Sequence, residues 1–213
     1  MAFVQEIFPT RIYMNVCDRD ISQAIEYLMN VERAKTSKDI LGNYGYRSRD
    51  AYILNNPECA ELRDWLEDCL NEYATEVIGL DVEGMGITQS WVSIKQPGQK
   101  HVAHAHPNSV ISGAFYFDEG GEPIIFTGHE HDFFKVRRNP EKAPWNTYSL
   151  QPKQYGVVMF PSHLEHEVGT NTSDTERYSL SFNSLPLGTF GSDGDLTHID
   201  YSRIIGKRIQ DNI

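Results

Sequence analysis

His104-Ala105-His106 is the stretch on which the fold and its chemistry depend. Side chains of an extended strand alternate between its two faces, so His104 and His106 are expected to point to one side with their imidazoles close together. A third imidazole, His166, ends the segment 160–166, Phe-Pro-Ser-His-Leu-Glu-His, which follows a buried strand. Imidazole suits iron, copper, nickel or zinc, and three ligands on one side of a metal would leave positions open for substrate and dioxygen. The pattern therefore predicts a metal site.

Arg177 adds a second constraint, because it opens a strand with one polar and one apolar face. The polar face carries Arg177, Ser179, Ser181 and Asn183, and the apolar face carries Tyr178, Leu180 and Phe182. An arginine that points into a barrel is costly to bury unless it meets an anion. Its planar fork matches a carboxylate, and the Ser179 hydroxyl is a further donor. The alternative is a salt bridge between Arg177 and an internal Asp or Glu.

The sequence after Gly84 alternates with the period of two that is typical of strands. Six segments show this pattern and are separated by turn signals: 87–94, 110–117, 123–127, 147–150, 155–160 and 177–183. Helices that precede these segments can cover one sheet. The prediction is a mainly β fold with flanking helices, whose core is a two-sheeted jelly roll over about residues 84–188.

The part before this core is predicted to be helical support, over about residues 18–80. Two short strands within residues 2–16 are expected first. They are followed by a helix capped by Asp18 or Asp20 and by a long helix from Asn56-Pro57 to Gly79.

Two loops are candidates for contact with a substrate. Residues 35–55 show no sustained period and are predicted to form an ordered loop, in which Tyr44, Tyr46 and Arg47 could line a substrate entrance. Residues 128–146 are rich in charge and proline, and this segment is long enough to be a lid.

Length and charge restrict the class of protein. We expect a single domain over residues 1–213. Lys and Arg number 19 against 30 Asp and Glu, and the net charge of −11 disfavours nucleic acid and anionic membranes as partners. No signal peptide and no membrane span is predicted, and three widely spaced cysteines suit reduced thiols in a cytoplasm.

Four motifs in order resemble the 2-oxoglutarate- and Fe(II)-dependent oxygenases, most closely a small branch often met in phage and marine bacterial genomes. The motifs are His104-x-His106, Ser112-Gly-Ala-Phe-Tyr-Phe117, 160–166 and Arg177-Tyr-Ser-Leu-Ser-Phe-Asn183. The resemblance covers about residues 87–185, with a weaker echo in 42–50. It implies a double-stranded β-helix and, for a phage-encoded protein, the host cytoplasm.

The resemblance also implies the roles of individual residues. His104, His106 and His166 would hold Fe(II), and Arg177, helped by Ser179, would bind the far carboxylate of 2-oxoglutarate, with Tyr116 as a further candidate. The family converts 2-oxoglutarate and dioxygen to succinate and carbon dioxide and oxidises a C–H bond, usually by hydroxylation. The substrate would be a small molecule or a protein side chain. Neither its identity nor an oligomeric state is indicated.

His106 departs from the family pattern, which places Asp or Glu two residues after the first histidine. Either three neutral imidazoles hold the metal, or an acid from elsewhere, such as Asp118, replaces His106; we favour His106, because its position matches. His101 is three residues before His104, so its side chain is expected on the opposite face of the strand, and it is not expected to be a ligand. The same applies to His163, which lies in a turn three residues before His166, and to His129 and His131 in the loop 128–146.

Two other functions fit part of the pattern. A cupin, which would be a metal-dependent dioxygenase or isomerase that does not use 2-oxoglutarate, shares the spacing from Gly98 to His104-x-His106. The cupin glutamate is absent, however, since Val110 and Ile111 stand in its place, and an inward arginine is not part of that motif. The second alternative is a jelly roll that binds or supports without catalysis.

Overall fold

A computed structural model of the chain describes residues 9–38, 44–119, 121–128, 147–192, 194 and 196–200. Its strands in chain order are β1 (Tyr13–Val16), β2 (Arg33–Lys38), β3 (Tyr44–Ser48), β4 (Gly84–Lys95), β5 (His101–His104), β6 (Ile111–Tyr116), β7 (Ile124–Thr127), β8 (Thr147–Leu150), β9 (Gly156–Pro161), β10 (His166–Val168), β11 (Arg177–Leu187), β12 (Thr189–Phe190) and β13 (Ile199–Asp200). The predicted jelly-roll strands are all present, with ends shifted by a few residues.

The strands form two main antiparallel sheets. The larger has the order β1-β9-β6-β11-β4-β3-β2, the smaller has the order β5-β10-β7-β8, and β12 and β13 form a separate pair. In the centre of the larger sheet, β9, β6, β11 and β4 are neighbours although they are far apart in sequence, as in a jelly roll whose chain crosses repeatedly between two layers. The mainly β fold that the sequence predicts is confirmed.

The helices come before β4 and lie on the larger sheet. Helix α1 spans Ser22–Met29, and the Asp20 carboxylate accepts a hydrogen bond from its first backbone N–H, that of Ser22, at 3.1 Å. Helix α2 spans Ala60–Glu72, between a 3-10 turn at Pro57–Cys59 and a π-helical turn at Tyr73–Ile78. Gly79 ends this segment in the left-handed conformation, with φ of 82°, which glycine adopts at little cost. Both predicted helices are therefore confirmed.

Two apolar cores lie on the opposite faces of the larger sheet. Alternate residues of β9 divide between them: Val157 and Met159 pack with the helices, whereas Val158 and Phe160 pack against the smaller sheet. A strand buried on both faces has no polar alternation, and every residue of β9 before Pro161 is buried. The second core holds the smaller sheet in place, because Ile124, Phe126 and Leu150 belong to it.

The prediction of a loop over residues 35–55 is wrong. Its first part contains the end of β2 and all of β3, and β3 pairs with β4 through Tyr46 opposite Ile94 and Arg47 opposite Ser93. Strands at a sheet edge carry few apolar side chains, so their sequences lack the alternation that identifies a buried strand.

Several sequence predictions fall outside the residues that the structure describes. They are the strand expected before residue 9, the side chain of Tyr44, and the loop from residue 129 to 146. No helix within the described ranges is long and apolar enough to cross a membrane.

Candidate metal centre and carboxylate pocket

Three imidazoles converge where the smaller sheet meets the loop after β5. His104 ends β5 and lies opposite His166, the first residue of β10, in the strand register. His106 lies beyond the strand, and its backbone N–H donates to the carbonyl of Ser162 at 2.9 Å. The ligand nitrogens of the three rings lie within 4.8 Å of one another. This spacing lets a single ion reach all three.

Each of these rings uses its Nδ1 atom to bind an oxygen. The Nδ1 of His104 is 2.8 Å from the carbonyl of Val102, and that of His166 is 3.0 Å from the carbonyl of Leu164. The Nδ1 of His106 is 2.6 Å from Oδ1 of Asn183. Carbonyl and amide oxygens only accept, so each Nδ1 carries the hydrogen and each Nε2 keeps a lone pair for a metal.

Burial keeps two of the rings neutral. It lowers the pKa of His166 to about 3, with a smaller contribution from the neighbouring imidazoles, and it also lowers the pKa of His106. Neutral imidazole is the form that ligates metals. The donor set therefore fits a divalent transition metal at neutral pH.

Asp118 does not join this cluster. Its carboxylate lies 3.9 Å from Nε of Arg177 and is about half exposed. Among the described residues, His104, His106 and His166 are the one group of potential ligands with metal-site spacing. The His101 ring lies 5.9 Å from that of His104 and is not part of the group, as the sequence predicts. The geometry favours His106 over Asp118 as the third ligand.

A cavity of about 80 Å³, which we call the inner cavity, joins the imidazoles to Arg177. Ser179 and Tyr116 also line it and face each other in the register of β11 and β6. Tyr116 is buried, and burial raises the pKa of its phenol, so its hydroxyl stays protonated. The residues that the sequence predicts to bind a metal and those that it predicts to bind a carboxylate therefore line the same cavity.

Lys95 and Glu122 are charged residues of the inner cavity that the sequence analysis misses. Lys95 Nζ lies 2.9 Å from Oε2 of Glu122, and both side chains are largely buried. Strand parity could have found Lys95, because Trp91, Ser93 and Lys95 alternate along β4 and all line the cavity. Glu122 lies in a turn, where the sequence carries no such signal.

A second recess, the outer groove, is also lined by His104 and His106 and has a volume of about 620 Å³. Trp91 lines both spaces as well, and its indole stacks on the His106 ring at 6.1 Å between centroids. The other lining residues in the described part of the chain are uncharged: Tyr52, Thr88, Gln89, Ala105, Pro107, Asn108, Asn183 and Leu185. A molecule in this groove would lie beside the metal without entering the inner cavity.

Comparison with known families and structures agrees with this geometry. Residues 89–183 match the model of a family described as "Putative 2OG-Fe(II) oxygenase". No curated protein sequence matches.

Solved structures of such enzymes share the fold. An oxidoreductase of the 2OG-Fe(II) oxygenase family from Burkholderia pseudomallei has 13% identity and a TM-score of 0.59, with coverage of 81% of this chain and 84% of that one. The epimerase SnoN, in complex with Fe3+, alpha ketoglutarate and nogalamycin RO, has 11% identity and a TM-score of 0.60, with coverage of 87% and 83%. A prolyl-4-hydroxylase from Pseudomonas putida has 14% identity and a TM-score of 0.52, with coverage of 84% and 94%.

Proposed function

We propose that this chain, whose residues 89–183 match the model of a family described as "Putative 2OG-Fe(II) oxygenase", is a 2-oxoglutarate- and Fe(II)-dependent dioxygenase that hydroxylates a C–H bond of its substrate, with release of succinate and carbon dioxide. The observation that carries the proposal is the inner cavity, which brings three imidazoles with metal-site spacing and the partly buried Arg177 into one space. A facial metal site beside an anion pocket is what such an enzyme requires of its protein.

His104, His106 and His166 would hold the Fe(II) through their Nε2 atoms. When bound, Fe(II) with 2-oxoglutarate and dioxygen supplies the oxidative decarboxylation that drives oxidation of a C–H bond. The oxygen atoms that accept hydrogen bonds from the Nδ1–H groups of the three histidines fix the rings in place before any metal binds. Because all three ligands are neutral, the net charge of the ion and its protein ligands would be one unit more positive than with a carboxylate as the third ligand.

Arg177 would bind the far carboxylate of 2-oxoglutarate through two N–H groups, with Ser179 and Tyr116 as hydroxyl donors. The Arg177 side chain is only 18% exposed, so an anion beside it would meet little competition from water. In the described part of the chain its ion pair is the long contact with Asp118, which leaves its planar fork available. The salt-bridge alternative for Arg177 is thus weakly supported.

The substrate would approach through the outer groove, because His104 and His106 line both this groove and the inner cavity, whereas Arg177 lines the inner cavity alone. Both a small molecule and a protein side chain are substrates of this class. The similar structures include the epimerase SnoN in complex with nogalamycin RO and a prolyl-4-hydroxylase. We further propose a single domain that acts in the cytoplasm, or the host cytoplasm for a phage-encoded protein.

The test is to load the protein anaerobically with Fe(II), add 2-oxoglutarate and air, and measure succinate. We expect succinate to form slowly without substrate and to be lost in Arg177→Met. Arg49→Met is the matched control, because Arg49 lies on the surface in an exposed pair with Glu32. Binding of 2-oxoglutarate should be measured in parallel, since turnover without substrate is slow.

Cupin-type chemistry is the second candidate, because a set of three histidines without an acid also suits metal-dependent dioxygenases that do not use 2-oxoglutarate. The two functions differ in what Arg177 does. If the metal-loaded protein fails to bind 2-oxoglutarate, or binds it equally well as Arg177→Met, the cupin function becomes the better explanation. A jelly roll without catalysis would retain its full metal content after His166→Ala.

A further inference from the structure

Lys95 and Arg177 lie directly opposite each other on β4 and β11, and both line the inner cavity. Residues that face each other across antiparallel strands have Cβ atoms about 4.5–5.5 Å apart, and like charges there destabilise the pairing. The charge of Arg177 contributes to a lowered pKa of Lys95, although burial is the main cause. Two cations in one small cavity need a counter-charge.

Glu122 supplies that charge, and it does so to Lys95. Its Oε2 lies 2.9 Å from Lys95 Nζ, with the side chains 11% and 13% exposed. Lys95 also donates to the carbonyl of Gly169 at 3.3 Å, which fixes the ammonium at this end of the cavity. The Glu122 carboxylate is therefore committed to one partner in a place where water competes poorly.

Arg177 lies close to the same turn without forming an ion pair with Glu122. Its Nη2 is so near Gly121 that a Cβ atom there would lie only 2.7 Å away. Within the described residues its one acidic contact is with Asp118 at 3.9 Å, too long for a hydrogen bond. The Arg177 guanidinium therefore lies beside Gly121, the residue before Glu122, while the Glu122 carboxylate is paired with Lys95.

We propose that Lys95 is a positioning residue, which keeps Glu122 away from Arg177 and so leaves the guanidinium free for the carboxylate of 2-oxoglutarate. This inference rests on the proposed function. Without Lys95, Glu122 would be an unpaired carboxylate in a buried cavity, and Arg177 would be the cation that neutralises it. The internal ion pair would then compete with the co-substrate for the same donors.

The test compares Lys95→Met, Glu122→Gln and the double variant in anaerobic calorimetry of 2-oxoglutarate with Mn(II)-loaded protein. We expect Lys95→Met to raise the Kd for 2-oxoglutarate about tenfold, because the ligand would have to displace the ion pair between Glu122 and Arg177 before it could bind. The double variant, which has no carboxylate to capture Arg177, should bind with nearly the wild-type Kd. Lys153→Met, a change at an exposed lysine, should leave the Kd unchanged.

Other outcomes contradict the inference in different ways. If the double variant binds 2-oxoglutarate as weakly as Lys95→Met does, Lys95 itself binds the co-substrate. If the Kd of Lys95→Met is unchanged, Lys95 does not protect Arg177. A crystal structure of Lys95→Met gives a second readout, in which the guanidinium of Arg177 should contact Glu122. That contact can be observed without any ligand, so it separates this inference from the proposed function, which fails if the wild-type protein does not bind 2-oxoglutarate. If Lys95→Met does not fold, the double variant with both charges removed still tests the claim, because it should bind normally.

Discussion

Asn183 determines which nitrogen of His106 faces the metal site. Its Oδ1 lies 2.6 Å from Nδ1 of His106 and also accepts a hydrogen bond from the Ser112 hydroxyl at 2.9 Å. Ser112 is in turn 2.8 Å from the Ser162 hydroxyl, so a buried chain of hydroxyl groups holds the amide in this orientation. The orientation of the His106 ring is thereby fixed by residues outside the group of three histidines.

Replacing Asn183 by Leu should weaken metal binding. The Nδ1–H of His106 would lose its acceptor, and loss of such a partner typically reduces metal affinity about 10–100-fold. Competition between the protein and a coloured chelator for Fe(II) under anaerobic conditions measures this change. Asn183→Asp is the control, because it keeps an acceptor oxygen and should retain most of the affinity. Equal metal affinity in Asn183→Leu and the wild type would exclude this role.

At the scale of residues, sequence patterns predicted the convergence of the histidines but not its cause. His106 was expected on the same strand as His104, whereas β5 ends at His104. A backbone hydrogen bond to Ser162, more than fifty residues away, holds His106 in place, and no local pattern encodes such a contact. The roles of the three histidines, Arg177, Ser179 and Tyr116 remain predictions.

At the scale of elements, Gly113 lets β6 lie close under the side chain of Phe182 on β11. A Cβ atom at position 113 would lie 2.3 Å from Cζ of Phe182, far inside normal contact. Phe182 is fully buried, so its ring has no free space into which it can move. Glycine is thus required here by packing between strands, which gives a physical reason for its place in the Ser-Gly motif.

Gly113→Ala should lower the free energy of unfolding by about 1–3 kcal/mol, as overpacking of a buried core does. Urea denaturation followed by circular dichroism measures this change. The double variant Gly113→Ala with Phe182→Leu should be more stable than the sum of the two single changes predicts, because the smaller side chain makes room for the methyl group. Strict additivity of the two effects would contradict the proposed clash.

The outer strand β2 is tied to the jelly roll by Glu176, the residue before β11. Its carboxylate accepts hydrogen bonds from Arg33 at 2.7 Å, Gln96 at 2.6 Å and Tyr178 at 2.7 Å. These bonds, with that of Arg33 first, lower the pKa of Glu176 from 4.5 to about 2. A carboxylate with a lowered pKa stabilises the fold above its unfolded pKa, and this contribution is lost as the pH falls toward the folded value.

Glu176→Gln should therefore be less stable than the wild type at neutral pH, and the difference should shrink between about pH 4.5 and pH 2. Urea denaturation of both proteins across this range measures it. The exposed Glu32 pairs with Arg49 on the surface, so Glu32→Gln should show almost no difference from the wild type at any pH. A difference in free energy of unfolding between Glu176→Gln and the wild type that stays constant down to pH 2 would contradict the account.

Strand patterns predict the apolar strands better than the strands that are rich in charged residues. Every strand of the core with alternating or continuous apolar residues was anticipated, because burial selects those residues. β2 was missed, since Arg33, Lys35 and Lys38 give its sequence the character of a solvated loop. Its position depends on the pairing with β3 and on the Glu176 contacts, which are long-range.

At the scale of the whole molecule, charge is distributed unequally between the inner cavity and the outer groove. Among the lining residues that the structure describes, those of the inner cavity include Lys95, Asp118, Glu122 and Arg177, whereas those of the outer groove other than the histidines carry no charge. Such a division suits an anionic co-substrate on one side and an uncharged part of the substrate on the other. The net charge of −11 does not indicate that Arg177 and Lys95 lie together in one cavity, because their proximity depends on the fold.

The central claim is that a metal and 2-oxoglutarate bind together in the inner cavity. Anaerobic calorimetry of 2-oxoglutarate with the metal-free protein, the Mn(II)-loaded protein and the Mn(II)-loaded variants Arg177→Met and His166→Ala tests it most directly. The account predicts that 2-oxoglutarate binds the Mn(II)-loaded wild type, that binding weakens at least about tenfold without metal, and that each variant loses it. Binding that is absent, or that depends on neither the metal nor Arg177, would contradict it.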